Sequence, residues 1–146
     1  MQKLYIEPSR STPEIHFSPD LNIFLIRGKS SPEDVRALYY PVIDWIKGFI
    51  DEIIDGEDKI FTPDHPLVFK TDLSYFNSSS AKFLFDIFIE LKRLLSAGIP
   101  VLAQWYYDEE DIDLKDAGID FALLVGMEFS FIPKQKKPDE RTKRTL

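Results

Sequence analysis

The feature that most constrains the fold is a regular alternation of strand-like and helix-like segments after residue 22. The segments with strand patterns are 22–28, 67–76, 101–107 and 127–132. Apolar residues recur at helical spacing in the intervening segments 33–54, 79–97 and 114–125. Strands that alternate with helices form parallel or mixed sheets, because each helix carries the chain back to start the next strand. The sequence therefore predicts an α/β fold.

The N-terminal part of the chain adds antiparallel character to this sheet. Residues 14–18 alternate in polarity, Pro19-Asp20 breaks the pattern, and the strand 22–28 follows, which predicts a hairpin. A short strand over 4–7 ends at Pro8. The predicted fold class is therefore α/β, a single domain with a mixed β-sheet, an N-terminal hairpin and flanking helices.

The first helix carries two signals of its own. Ser30 and Ser31 precede Pro32, so we expect a hydroxyl cap with proline in the first turn. Pro41 lies inside the helical pattern and lacks the N–H that the helix would use, which predicts a kink or a restart at that position.

The amino-acid composition narrows the kinds of protein that this chain can be. The chain has 146 residues, 44% of them hydrophobic and 14% aromatic, which is enough for one domain with a substantial core. It contains no cysteine, which excludes disulfides, thiolate metal sites and cysteine nucleophiles. The N-terminus lacks a signal-peptide pattern and no segment has the length of apolar residues that a membrane span needs. We therefore expect a soluble cytoplasmic protein without a membrane partner.

Charge is distributed unevenly along the chain. The net charge is −7, but residues 134–146 carry six basic and two acidic residues, a net of +4, which leaves −11 for residues 1–133. An acidic body argues against nucleic acid as a partner. We expect residues 1–133 to form the folded domain and residues 134–146 to form a basic, disordered tail.

The residues that usually perform catalysis or hold metals are few. His16 and His65 lie far apart in the sequence, and neither accompanies a serine in a nucleophile-elbow pattern. The acidic run 108–113 has oxygen ligands for a hard cation but lacks the glycine and terminal glutamate of an EF-hand loop, so we expect a solvated loop. Trp105 and Tyr107 share one side of a strand and are expected in the core. The sequence predicts no metal, no cofactor and no active site.

The most informative polar segment is Tyr75-Phe76-Asn77-Ser78-Ser79-Ser80-Ala81-Lys82, where a strand pattern gives way to a helical one. Ser and Asn side chains at such a corner accept hydrogen bonds from the unpaired amides of the first helical turn. The same amides and the helix dipole attract a phosphate. The segment by itself is compatible with a plain helix cap or with an anion site.

Four further motifs accompany this corner in a fixed order. They are Ser11-Thr12-Pro13 with Ile15, Gly28-Lys29-Ser30-Ser31-Pro32-Glu33, Tyr40-Pro41 with Trp45, and Trp105-Tyr106-Tyr107. Together with the serine corner, they resemble the SiaC family of bacterial regulatory phosphoproteins, from about Thr12 to Ile132.

The resemblance implies a fold and a function. The fold is similar to the STAS domains of anti-sigma-factor antagonists, and no catalysis by the chain itself is expected. Members of the family are phosphorylated on one hydroxyl by a partner protein kinase and dephosphorylated by a PP2C-type phosphatase. In part of the family the unmodified form binds and activates a diguanylate cyclase.

The resemblance also assigns the site residues. The family acceptor is typically Thr in a Tyr-x-Asn-Thr-Ser-Ser motif, and Ser78 takes that place here. The departure from Thr to Ser keeps the hydroxyl and leaves Ser79 and Ser80 as alternative acceptors. The expected partner-binding residues are Tyr75, Asn77, Ser79, Ser80 and Lys82.

Two other functions stay open from the sequence. One is an anti-sigma-factor antagonist with the same phosphorylation switch but an anti-sigma factor as its partner. The other is a small enzyme or anion-binding domain that uses the Ser/Asn corner as its anion site.

Overall fold

A computed structural model describes residues 1–135, and these form one mixed sheet with helices. Within that range the strands are β1 (Leu4–Ile6), β2 (Glu14–Ser18), β3 (Ile23–Ser30), β4 (Leu67–Phe76), β5 (Val101–Asp108) and β6 (Phe129–Lys134). The α-helices are α1 (Val35–Asp55), α2 (Ser78–Ser96) and α3 (Ile112–Val125). The predicted fold class is confirmed.

The strands lie in the sheet in their sequence order. β1, β2 and β3 pair antiparallel, and β3, β4, β5 and β6 pair parallel. Each parallel step moves to the next strand in the same direction, so right-handed crossovers bring all the helices to one face. α1 accordingly packs on α2, and α2 packs on α3.

The core lies between that sheet face and the helices. Alternate strand residues point into it, including Phe24 and Ile26 of β3, Phe69 of β4 and Trp105 and Tyr107 of β5. The expectation that Trp105 and Tyr107 are core residues is confirmed. The carboxyl ends of the parallel strands all lie at the same end of the sheet, and the serine corner is at that end.

Helix boundaries differ from the sequence-based prediction in instructive ways. Asp34, not Ser30 or Ser31, caps α1, because its side chain accepts a hydrogen bond from the N–H of Ala37. The helix continues through Pro41 without restarting, since the buried apolar stripe on both sides of the proline outweighs one lost backbone hydrogen bond.

The C-terminal elements are also shifted. Asp111 caps α3, so the helix begins at Ile112 rather than at the predicted residue 114. The acidic loop is correspondingly shorter than predicted. β6 extends to Lys134, so the predicted domain boundary at residue 133 falls inside a strand. The predicted disordered tail lies outside the described residues from 136 onward.

Candidate functional site

Asn77 holds the serine corner between β4 and α2. Its backbone is extended and its N–H donates to the carbonyl of Ser30 at 2.9 Å. Its side-chain oxygen accepts from the N–H of Ser80 at 2.8 Å and from the hydroxyl of Ser79 at 3.0 Å. The expected helix cap is confirmed, and Asn77 provides it rather than a serine.

The serines of the corner occupy different environments. Ser78 is the first residue of α2; it is exposed, and its hydroxyl forms no hydrogen bond within the described part of the chain. Ser79 is also exposed but is tied to Asn77. Ser80 is 0% exposed. Ser80 is therefore not accessible to a partner or a kinase in this structure, and its assignment as a partner-binding residue or alternative acceptor stays a prediction.

Ser80 instead joins a buried hydroxyl network. Its Oγ lies 2.8 Å from Oγ of Ser30 and donates to the Ser30 carbonyl at 3.2 Å. The Ser30 hydroxyl lies 2.6 Å from the Tyr39 hydroxyl. Burial raises the pKa of Tyr39, while its hydrogen bonds with Ser30 and Ser80 act in the opposite direction. This network joins the end of β3, α1 and the first turn of α2 beneath the exposed Ser78.

The sequence analysis missed Ser30 and Tyr39 as members of this site. Ser30 was interpreted as a helix cap, but its side chain is 0% exposed. The sequence did contain an indication of this burial: Ser30 has the same parity as Phe24 and Ile26, the inward-facing residues of the same strand. A hydroxyl at such a position needs a buried partner.

Lys82 and Tyr75 border the corner on its exposed side. Lys82 forms an ion pair with Asp86 at 2.7 Å, and its ammonium lies 4.7 Å from the ring centre of Phe83. Tyr75 is half exposed, and the Lys29 ammonium lies 5.8 Å from its ring centre. Both side chains are accessible to a partner.

A groove between α1 and α2 begins beside Lys82. It has a volume of about 330 Å³ and is lined by Tyr40, Ile43, Asp44 and Lys47 from α1 and by Lys82, Phe83 and Asp86 from α2. Ser78, Lys82 and Asp86 are spaced four residues apart, which places them on one face of α2. The serine corner and this groove therefore form one continuous surface.

The electrostatics of the corner favour a negative group. The first turn of α2 contains no acidic side chain. The positive end of the helix dipole and the amides of the first turn are therefore not neutralised by a carboxylate of the helix itself. A phosphate on Ser78 would lie at this end, with Lys82 one turn away.

The other predicted polar sites have structural roles. Asp111 caps α3, and Asp113 lies in its first turn, where the dipole favours a carboxylate. In residues 1–135, no group of three or more His, Asp or Glu side chains is arranged to hold a metal ion. His16 packs edge-on against Tyr5, and His65 pairs with Thr62 in a loop.

None of the helices within residues 1–135 combines the length and the apolar character that crossing a membrane requires.

Comparisons with known proteins define the family. The family model described as "SiaC family regulatory phosphoprotein" matches residues 6–134. An uncharacterised protein of Pseudomonas aeruginosa, strain UCBPP-PA14, is 32% identical over 111 residues, which are 76% of this chain and 80% of that protein. The chain therefore belongs to the SiaC family of regulatory phosphoproteins, as the sequence resemblance indicated.

Solved structures agree with this assignment. The crystal structure of apo-SiaC from Pseudomonas aeruginosa is 29% identical and superposes with a TM-score of 0.76, covering 90% of this chain and 99% of that one. SiaC in complex with the diguanylate cyclase SiaD, which it activates, is 28% identical with a TM-score of 0.74, covering 91% of this chain and 99% of that one.

Proposed function

We propose that this chain is a non-catalytic signalling protein that is switched by reversible phosphorylation of Ser78. The observation that carries the proposal is the contrast among the serines of the corner. Ser78 is exposed with an unbonded hydroxyl, whereas Ser79 is bonded to Asn77 and Ser80 is buried. The family description as regulatory phosphoproteins supports the same conclusion.

The modification has a defined chemistry. The Ser78 oxygen attacks the γ-phosphorus of ATP in the active site of a partner protein kinase, the bond to ADP breaks, and the hydroxyl proton passes to the kinase. A PP2C-type phosphatase then hydrolyses the phosphoserine to serine and inorganic phosphate. The use of ATP fits the cytoplasmic location that we expected from the sequence.

The phosphate would be tolerated without a change of fold. It adds about −1.5 to −2 charges at the N-terminus of α2, where the dipole favours them. It would also lie four residues before Lys82, a spacing that favours an ion pair on a helix. Lys82 would then be shared between the phosphate and Asp86, its present partner at 2.7 Å.

We further propose that the unmodified protein binds and activates a diguanylate cyclase through this surface. SiaC from Pseudomonas aeruginosa is the activator of the cyclase SiaD in a crystal complex. The accessible residues of the surface are Tyr75, Ser78, Ser79 and Lys82, beside the groove that contains Tyr40. Asn77 positions the corner from beneath. A partner packed here would meet a dianion after phosphorylation and would be repelled.

The site assignment is tested by labelling with the partner kinase and ATP, followed by peptide mapping. We expect one phosphate on the peptide that contains Ser78, and no phosphate in Ser78→Ala. Ser79→Ala is the matched control, since it removes an adjacent exposed hydroxyl of the same helical turn. Labelling that persists in Ser78→Ala and disappears in Ser79→Ala would move the acceptor to Ser79.

A further inference from the structure

The strand β6 forms one edge of the sheet and pairs with β5 alone among the described strands. The carbonyl of Lys134 accepts a hydrogen bond from the N–H of Glu109 at 3.0 Å, so the backbone of Lys134 faces β5. Backbone polar groups alternate in direction along a strand. The N–H and C=O groups of Phe129 and Phe131 and the carbonyl of Pro133 therefore face away from the sheet.

An apolar surface lies directly beside these outward-facing groups. Leu123 of α3 is 75% exposed and lines an open groove of about 310 Å³ with Ile119, Met127, Phe129 and Phe131. The neighbouring Leu124 is 71% exposed but does not line that groove. An unpaired strand edge beside exposed apolar residues is a template for pairing with another chain.

We propose that two copies of this chain pair through β6 in antiparallel register, with a two-fold axis at Phe131. A two-fold axis can lie at an outward-facing residue or at Ser130 or Ile132 between them. An axis at Ser130 or Ile132 would place Lys134 opposite Gly126 or Ser130 rather than opposite Glu128, which leaves the outward-facing residues. Pro133 has no N–H, so it cannot exchange a pair of hydrogen bonds with its own copy. An axis at Phe129, where β6 begins, would leave most of the strand unpaired. An axis at Phe131 pairs the full strand.

The register at Phe131 also matches side chains and backbone groups. Phe131 exchanges N–H and C=O groups with Phe131 of the second copy, and the N–H of Phe129 donates to the carbonyl of Pro133 of the second copy. The carbonyl of Phe129 is left without a donor at the end of the paired region, because Pro133 has no N–H. Glu128 comes opposite Lys134 of the second copy. Both side chains are exposed. Glu128 directly precedes β6, so pairing that extends through residue 128 would place it on the same face as Lys134. Lys134 contacts Asp72 on that face, and Glu128 would join the pair.

The helices fit this arrangement. α3 packs on both β5 and β6, so its axis lies over the gap between them. With strands about 4.8 Å apart, the two α3 helices would lie about 10 Å apart across the axis. Packed helices are separated by about 8–10 Å. Pairing would therefore bring the grooves that contain Ile119 and Leu123 against each other and shield them from water.

Sedimentation at several protein concentrations tests the association. We expect a monomer–dimer equilibrium, which Leu123→Lys weakens at least about tenfold because a buried leucine is replaced by a charge. Leu124→Lys is the matched control and should change the equilibrium little. A wild-type protein that stays monomeric up to the highest concentration, or equal effects of the two substitutions, would overturn the proposal.

Cross-linking tests the register. Because the chain contains no cysteine, Phe131→Cys can form a disulfide only with a second copy. A directly opposed pair of this type has Cα atoms about 5.5 Å apart, which a disulfide can span. Tyr5→Cys places the thiol on β1, the opposite edge strand, as a control. We expect mild oxidation to cross-link Phe131→Cys and to leave Tyr5→Cys monomeric; equal cross-linking of both would contradict the register.

Discussion

At the scale of single residues, the proposed function of the serine corner depends on which hydroxyls are accessible. Three consecutive positions carry serine, so the three residues differ only in their environment. Ser80 is held against Ser30, Ser79 against Asn77, and Ser78 stands at the surface. The sequence motif identifies the segment. The buried network makes Ser80 inaccessible and the bond to Asn77 engages the Ser79 hydroxyl, which leaves Ser78 as the proposed acceptor.

Asn77→Ala should remove the cap of α2. The lost side chain accepts from the N–H of Ser80 and from the Ser79 hydroxyl. We expect the free energy of unfolding, measured with urea, to fall by about 1 kcal/mol. Asn77→Asp keeps an acceptor in place and should retain most of the stability. A full loss in both variants would show that the amide group has another role.

Tyr39→Phe tests the buried network. The substitution removes one of the two side-chain partners of the Ser30 hydroxyl, and we expect a loss of about 1–2 kcal/mol in unfolding free energy. Tyr40→Phe, at the neighbouring exposed position, should change stability by less than about 0.5 kcal/mol.

The raised pKa of Tyr39 gives the network a pH dependence. Its folded-state pKa lies above the ordinary value of 10.0 because burial disfavours the phenolate. The stabilisation is therefore complete below pH 10 and is lost as the pH rises above it, since the unfolded state releases the proton first. In urea titrations from pH 9 upward, Tyr39→Phe should lose less stability than the wild type. If the unfolding free energies of the wild type and Tyr39→Phe fell equally with rising pH, the raised pKa of Tyr39 would be contradicted.

At the scale of elements, close approach between α3 and β5 depends on Gly118. A Cβ atom built there would lie 2.6 Å from Nε1 of Trp105, a ring that is itself 1% exposed and donates to the Leu114 carbonyl. The indole is therefore fixed by its burial and by its hydrogen bond to α3, and the helix can approach the strand only because residue 118 has no side chain.

Gly118→Ala should separate α3 from the sheet. We expect a loss of about 1–3 kcal/mol in the free energy of unfolding, because the fixed indole cannot move aside. Gly48→Ala is the matched control in α1, where the new methyl meets only the flexible end of Met1 at 3.2 Å. There the higher helix propensity of alanine should raise stability by up to about 1 kcal/mol. A neutral Gly118→Ala would contradict the packing account.

The order of the elements was predictable from sequence, but some of their ends were not. The strand 67–76 is found with the predicted bounds, because its apolar alternation is strong and Pro66 precedes it. The start of α1 was misplaced because serine and aspartate cap helices equally well, and tertiary contacts of Ser30 decided between them. Burial of Ser80 depends on β3, which is distant in sequence, so local patterns could not reveal it.

At the scale of the whole molecule, the parts of the proposed switch lie together at the carboxyl end of the parallel strands. The parallel topology brings the ends of β3 and β4 and the start of α2 together, with the α1–α2 groove beside them. The proposed pairing strand β6 lies at the far edge of the sheet, separated from β4 by β5. Self-association and phosphorylation are therefore testable independently of each other.

The most direct test of the central claim is the affinity of a diguanylate cyclase partner for the protein before and after kinase treatment. We expect the unmodified protein to bind and to raise cyclase activity, and the Ser78-phosphorylated protein to bind at least about a hundredfold more weakly, since a buried unpaired charge costs several kcal/mol. Ser78→Ala should bind before and after treatment alike. Equal binding of the cyclase to the unmodified and the fully phosphorylated protein would contradict the switch.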